Sequence, residues 1–195
     1  MTLVTRAVFF AAEAHDGALR KGSARPYIVH PMEAGAVAAS ITEDEEIIAA
    51  ALLHDVAEDC GVTQAQLQAQ FGARVAALVM AETQIKDGDP EATWDARKSA
   101  AIDALAHSDY AAKVVALSDK LSNMRAIARD FERVGEAMFD RFHQRDKRRH
   151  AWYYRSCMAL LEGELGQTQA WREFHTLVNQ VFGEVDSCGK KEENA

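Results

Sequence analysis

A chain of 195 residues with 48% hydrophobic and 27% charged side chains has the size and balance of one soluble globular domain with a full core. Its formal net charge of -8 argues against a general nucleic-acid or anionic-membrane surface, but leaves room for an anionic small molecule held by local positive charge. Cys60, Cys157 and Cys188 are odd in number and show no CxxC spacing, no basic-then-apolar leader opens the chain, and no apolar run is long enough to cross a bilayer, so a cytoplasmic protein is expected.

From Leu3 to about Leu19, Val4, Ala7, Val8, Ala11 and Ala12 recur at helical spacing and predict a first helix. It runs into Arg20 and Lys21 and a loop broken by Gly22, Ser23 and Pro26. Prolines flank Tyr27-Ile-Val-His30, which predicts a stiff, extended segment with Pro31 in the first turn of a second helix ending near Ser40. His30 then stands at that helix's N-terminal edge, as a capping or surface residue or as one that projects into a neighbouring site. Thr42-Glu-Asp-Glu45 reads as a capping box for the next helix.

That helix, from Glu46 to Asp59, is the stretch around which the rest is organised. Ile47, Ile48, Ala50, Ala51, Leu52 and Leu53 leave almost no polar face, so it should be buried and thin. His54, Asp55, Glu58 and Asp59 follow, and their spacing puts all four on one side. Three carboxylates and an imidazole at the end of a buried helix are costly without a cation, and a divalent metal is the natural one. Glu58 and Asp59 taken alone fit a solvated helix end equally well.

Gly61 stops this helix, and Thr63-Gln-Ala-Gln66 predicts a second capping box and a short helix. Another helix is expected from Phe71, a loop from Lys86 to about Ala92, and a helix from about Glu91 to Ala106. Ala111 to Arg125 is a further buried helix, with Val114, Val115, Leu117, Leu121 and Met124 on its core face. Asp119 sits among them with Asn123 one turn on; it is either a paired core acid or a metal ligand. A long helical stretch from about Glu132 to Leu165 carries Arg141, Arg145, Lys147, Arg148 and Arg149, read as a solvated face, and Trp152, read as core. A last helix covers about Gln167 to Phe182, and residues 186–195 form a frayed tail behind a single domain of residues 1–185. With no convincing strand pattern, the fold class is all-α.

His30, His54, Asp55 and Asp119 offer two nitrogens and two carboxylates from separate helices, a mixed set suited to Mn²⁺, Fe²⁺ or Zn²⁺. This H…HD…D spacing resembles the HD superfamily of metal-dependent phosphohydrolases. The stretches Ala14-His-Asp-Gly-Ala-Leu-Arg-Lys-Gly22, Pro26-Tyr-Ile-Val-His-Pro31, Ala50-Ala-Leu-Leu-His-Asp-Val-Ala-Glu-Asp59, Phe71-Gly-Ala-Arg-Val-Ala-Ala-Leu-Val79 and Leu117-Ser-Asp-Lys-Leu-Ser-Asn-Met-Arg125 look, in that order, like the hydrolase domain of the RelA/SpoT family. The extent of the chain is similar to that of the small stand-alone alarmone hydrolases.

The resemblance implies an HD-domain bundle of roughly eight to ten helices. It also implies removal of the 3′-pyrophosphate from guanosine 3′,5′-bis-diphosphate, with Mn²⁺ held by His30, His54, Asp55 and Asp119. Glu58 and Asp59 match the acidic pair that activates and orients water, Arg20 and Lys21 the basic pair at the nucleotide pocket, and Asn123 a residue near base and ribose. Tyr27, Lys86 and Arg125 fit pocket positions or, equally, packing and surface ones. Ala18, Ser118 and Ala126 depart from the family pattern on the base-recognition side. That keeps other nucleotides (an adenine alarmone, NADPH at its 2′-phosphate, a deoxynucleoside monophosphate) and a non-catalytic nucleotide-binding module open as alternatives.

Overall fold

A computed structural model of the protein describes residues 1–83 and 89–183. Within them the chain forms ten α-helices and one 3-10 helix, with a single isolated bridge, Leu19 to Pro26, in place of any strand. The expected all-α class holds. The expected frayed tail and Lys86 lie outside the described residues.

Helix α8 (Tyr110–Val134) is the axis of the bundle, about 37 Å long at 1.5 Å per residue. Asp109 caps its first turn by accepting from the Ala112 amide, and Gly135, at φ +60°, ends it. Val114, Leu117, Leu121 and Met124 are fully buried along it. Helix α2 (Val29–Ile41) and α10 (Gln169–Phe182) pack on α8, and α3 (Glu45–Leu53) fits between α1 (Leu3–Ala14), α2, α6 (Ala73–Glu82) and α8. Three consecutive alanines, Ala49, Ala50 and Ala51, have no exposed surface and give α3 the slimness this crowding needs. Where α2 crosses α3, a Cβ on Gly35 would lie 2.5 Å from Leu52 Cδ2, so any larger residue there requires Leu52 to shift. Helices α5 (Gln64–Phe71) and α6 close one side, and α7 (Trp94–Ala106) packs against α9 (Lys147–Leu165) on the other.

Several boundaries differ from the sequence expectation, each for a local reason. Helix α1 stops at Ala14, because His15 caps it and residues 15–17 turn through Gly17 at φ +74°. The segment before Pro31 is not extended: Ile28 is already helical, α2 starts at Val29, and Pro31 occupies the first turn, where its missing N–H is no loss. Thr42 to Glu45 is not a capping box. Thr42 ends α2 and accepts from the Asp44 amide, and Asp44 caps α3 by accepting from Glu46. The expected box at Thr63 and Gln66 is present with both bonds.

The helix expected from Glu46 to Asp59 is two, α3 and α4 (Val56–Cys60), with His54 and Asp55 in the turn between. The stretch from Glu132 to Leu165 is likewise broken by Gly135, the 3-10 helix Gly135–Arg141 and the Asp146 cap of α9. Trp152 is not core: it is 42% exposed, and Tyr153 and Tyr154 take the buried positions beside it. Overpacking at the α2–α3 crossing gives the fold's sharpest test: Gly35→Ala should lower unfolding free energy by about 1–3 kcal/mol in chemical denaturation. An unchanged midpoint would show that Leu52 moves aside without cost.

Candidate metal centre

The turn that interrupts α3 and α4 places a histidine and an aspartate side by side. His54 Nε2 lies 3.0 Å from Asp55 Oδ2 and 3.1 Å from His30 Nε2, which comes from the first turn of α2. His30 Nε2 is 3.4 Å from Asp55 Oδ2 and 3.3 Å from Asp119 Oδ1, and His54 Nε2 is 3.5 Å from the same Asp119 oxygen. The ligand atoms of His30, His54 and Asp55 all lie within 4.8 Å of one another, and Asp119 reaches both imidazoles from the middle of α8. The four residues expected from sequence are thus brought to one point.

Hydrogen bonds behind the imidazoles decide which nitrogen faces that point. His54 Nδ1–H donates to the Ala51 carbonyl at 2.8 Å, so Nε2 keeps its lone pair. His30 Nδ1 meets Ser122 Oγ at 2.8 Å, and that hydroxyl donates to Glu33 Oε2 at 2.7 Å. Ser122 therefore accepts from His30 Nδ1–H, and the second Nε2 also points inward with a lone pair. Two lone pairs 3.1 Å apart between two carboxylates repel unless a proton or a metal lies among them. Adjacent ligands of an octahedral ion with bonds of about 2.1 Å sit about 3 Å apart, so the separations here suit a divalent cation.

The charge states agree with that geometry. Burial opposes ionisation of Asp55 and Asp119, yet the imidazoles, and for Asp119 first the Lys120 ammonium, hold both carboxyls well below the usual range. Burial likewise opposes a charged His54, but Asp55 and Asp119 raise its pKa well above that of a free imidazole. Protons and a metal therefore compete for this site. Lys120 is buried and bridges Glu82 Oε2 at 3.0 Å and Asp119 Oδ2 at 3.3 Å, leaving Oδ1 to the imidazoles.

A cleft of about 380 Å³ opens beside His30. Arg20, Lys21, Tyr27 and Asn123 line it. Arg20 lies over the Tyr27 ring, 5.3 Å from its centroid, and donates to Asn123 Oδ1 at 2.7 Å. Asn123 in turn donates to Asp119 Oδ1 at 2.6 Å, and Tyr27 donates its hydroxyl to Asp55 Oδ2 at 2.6 Å. Burial, then the charges of Asp55 and Asp59, push the Tyr27 pKa far up and keep it a donor. Glu58 is half-buried and Asp59 exposed in α4. The Glu58 charge acts on Lys98, and the Asp59 charge acts on His15 and Tyr27.

Arg125 does not line the cleft. It grips Glu173 with Nε at 2.6 Å and Nη2 at 2.7 Å and reaches Glu33 at 3.3 Å, extending the bonds behind His30 to α10. Sequence reasoning missed Glu33, Ser122 and Lys120, which hold His30 and Asp119 from behind. Glu33 is three residues after His30 on one helix, and Lys120 and Ser122 adjoin Asp119 and Asn123, so their spacing was the available signal. It also missed Arg25, Lys98, Arg129 and Arg141 in the cleft wall. Arg141 was assigned to a solvated face with its neighbours, whereas it turns inward to Asp130.

The HD domain family model matches residues 7–146. A probable guanosine-3′,5′-bis(diphosphate) 3′-pyrophosphohydrolase of Synechocystis sp. is 29% identical over 191 residues, 95% of this chain and 25% of that protein. A guanosine-3′,5′-bis(diphosphate) 3′-pyrophosphohydrolase of Vibrio cholerae is 49% identical over 69 residues, 35% of this chain and 10% of that protein. The chain thus spans a quarter or less of the length of these relatives. Zebrafish (Danio rerio) guanosine-3′,5′-bis(diphosphate) 3′-pyrophosphohydrolase MESH1 is 38% identical over 125 residues, 63% of this chain and 67% of that one. Among solved structures, a metazoan orthologue of SpoT that hydrolyses ppGpp superposes with a TM-score of 0.75 at 23% identity, covering 94% of this chain and 98% of that one, which shows a shared fold.

Two measurements test the centre. Ser122→Ala should weaken Mn²⁺ binding about 10–100-fold in calorimetry by freeing the His30 ring; a change under about twofold would deny Ser122 that part. Affinity should also fall as pH drops from about 8 to 6, with protons released on binding, because the raised His54 pKa makes the ion displace a proton. A pH-independent affinity would contradict the competition.

Proposed function

The chain belongs to the HD domain family, on the side of its RelA/SpoT-type hydrolase domains, and from that premise we propose that it is a divalent-metal-dependent hydrolase that removes the 3′-pyrophosphate of guanosine 3′,5′-bis-diphosphate. The observation that carries this reading is the pair of inward-facing imidazole lone pairs between two ionised carboxylates, opening on a cationic cleft in an acidic protein. The names of the relatives support the reaction and the substrate.

His30, His54, Asp55 and Asp119 would hold the ion, Mn²⁺ in our reading; bound there, it would supply Lewis-acid polarisation and lower the pKa of water. The remaining work falls to the chain. Glu58 and Asp59, in the turn of helix after the ligands, take up the proton of the attacking water and orient it. The water oxygen bonds to the phosphorus borne by the 3′ oxygen, and the P–O3′ bond breaks. Pyrophosphate leaves, and the proton taken from the water is returned to the 3′ oxygen as its hydroxyl. Tyr27 and Asn123 fix Asp55 and Asp119 by donating to them. Arg20 presents a guanidinium plane for a base, and Lys21 meets phosphate at the rim. Arg125 acts from behind by holding Glu33.

Of the three departures from the family pattern, Ser118 is buried and donates to the Val114 carbonyl, and Ala18 is exposed and outside the cleft lining. Ala126 does line the cleft. Its methyl offers no hydrogen bond to a base edge, and this favours a second reading in which another nucleotide, such as an adenine alarmone or NADPH, is the better substrate.

A nucleotide panel with Mn²⁺, products read by mass, decides between them. Guanosine 3′,5′-bis-diphosphate should yield pyrophosphate and GDP, and deoxynucleoside monophosphates should be untouched. Asp119→Ala should reduce turnover to background; equal rates in this variant and the wild type would remove the site from the reaction.

A further inference from the structure

Two groups that the proposed reaction leaves unused meet beside Tyr27. Cys60 ends α4 as a half-buried thiol, and its Sγ lies 3.3 Å from Nδ1 of His15, the residue that caps α1. His15 is only 3% exposed. Apart from the Cys60 sulfur, which also lies 4.0 Å from Nε2, neither ring nitrogen has a hydrogen-bond partner among the described residues. A buried imidazole normally has its donor and its acceptor satisfied by backbone, other side chains or water. His15 has this thiol instead. Burial lowers the His15 pKa against the pull of Asp55 and Asp59, so the ring is neutral at about pH 7 and can accept a proton.

Cys157 is the contrast within the same chain. It is 1% exposed, and burial pushes its thiol up, so it is shielded and inert. The Cys60–His15 pair, by comparison, has a path both to solvent and to the metal ligands. The His15 ring lies against Tyr27, 4.8 Å between centroids, and Tyr27 donates to Asp55 Oδ2 at 2.6 Å. A group added to Cys60 Sγ ends its hydrogen bond with His15 and needs room where α4 meets the end of α1. The ring stack that backs Tyr27, and through it Asp55, takes up that displacement.

Resting on the reading of His30, His54, Asp55 and Asp119 as a metal site, we propose that Cys60, with His15 as its base, is a modification site for a low-molecular-weight disulfide, and that the adduct loosens the metal centre through Tyr27. The chemistry is thiol–disulfide exchange. The Sγ–H proton passes to His15 Nδ1 as Sγ bonds to one sulfur of the small disulfide. The S–S bond of that molecule breaks, and the departing thiolate recovers the proton from His15 and leaves as a thiol. One disulfide is consumed and one is formed, so no further oxidant enters. A reducing thiol reverses the exchange and restores the Cys60–His15 contact.

The test uses the full chain and two readouts that need no turnover. Protein is incubated with oxidised glutathione and mapped by peptide mass, and Mn²⁺ affinity is measured by calorimetry before exchange, after it, and after reduction with dithiothreitol. Cys60 should carry the adduct and Cys157 should not. The adduct should bind Mn²⁺ roughly tenfold more weakly, the low end for a lost outer support of a metal ligand, and recover on reduction. Cys60→Ser should bind Mn²⁺ within about twofold of the wild type and ignore the disulfide. His15→Asn should slow exchange at Cys60 roughly a hundredfold, the low end for loss of a general base, with thermal unfolding as the folding control. A second measurement needs no variant: native Cys60 should react faster than the same residue in chain unfolded by urea at the same pH. Cys60 left unmodified, exchange no faster than in the unfolded chain, or an adduct with Mn²⁺ affinity within about twofold of the wild type overturns the proposal. Fast exchange in a protein that binds no Mn²⁺ overturns the metal centre and the coupling while leaving the thiol site. Absence of nucleotide hydrolysis overturns the proposed activity and touches neither.

Discussion

Everything in this bundle is arranged around four Lewis bases that would repel one another if nothing lay between them. The two imidazole nitrogens at 3.1 Å are locked toward each other by hydrogen bonds on their far sides, not by their own attraction. Lone pairs turned inward in a buried site are a standing electrostatic cost, and a fold retains it only where a cation offsets it. The supports are spread accordingly. Ala51 comes from α3, Ser122 and Lys120 from α8, Glu33 from α2, Glu82 from α6, and Arg125 with Glu173 ties the set to α10. No single helix could hold the centre alone, which makes the packing of α2, α3 and α8 part of the site's chemistry.

Charge is partitioned on the same principle. The protein as a whole is acidic, at -8, yet six cationic side chains face one cleft. A low-dielectric concavity concentrates their field where an anion enters, while the acidic exterior discourages polyanions that cannot fit. Composition alone therefore spoke about the surface and was silent about the pocket. Lys98 shows the tension inside it: burial and the nearby Lys120 lower its pKa, and the charges of Asp119 and Glu58 pull the other way.

Residue types and helical period made the all-α class, the buried alanine-rich helix and the meeting of His30, His54, Asp55 and Asp119 legible, because each depends on local spacing or on chemistry with few other uses. What escaped was set by tertiary contact. Arg141 and Arg148 belong to one basic run, and only the packing of the 3-10 helix turns the first toward Asp130 while the second stays at the surface. Trp152 and Tyr153 are adjacent and apolar, and only the direction of α9 decides that the tryptophan faces outward. Arg125, a plausible pocket cation by position, is claimed by Glu173, 48 residues away in a helix with no motif of its own. Caps misled where two served within three residues, as at Thr42 and Asp44.

The break between α3 and α4 is where sequence reasoning was most instructively wrong. A continuous helix from Glu46 to Asp59 does put His54 over Glu58 and Asp55 over Asp59, but it also turns each residue about 100° from the next. Neighbouring His and Asp side chains on such a helix diverge and cannot address one point. Interrupting the helix at those two residues, with Asp55 at φ -96° and ψ -8°, removes the divergence, and His54 Nε2 and Asp55 Oδ2 meet at 3.0 Å. The helix then resumes at Val56, buried, and carries Glu58 and Asp59 in its first turn. A neighbouring His and Asp that meet at one point at the end of a buried helix therefore go with a helix that ends there, and the adjacency of His54 and Asp55 is itself the signal for the turn.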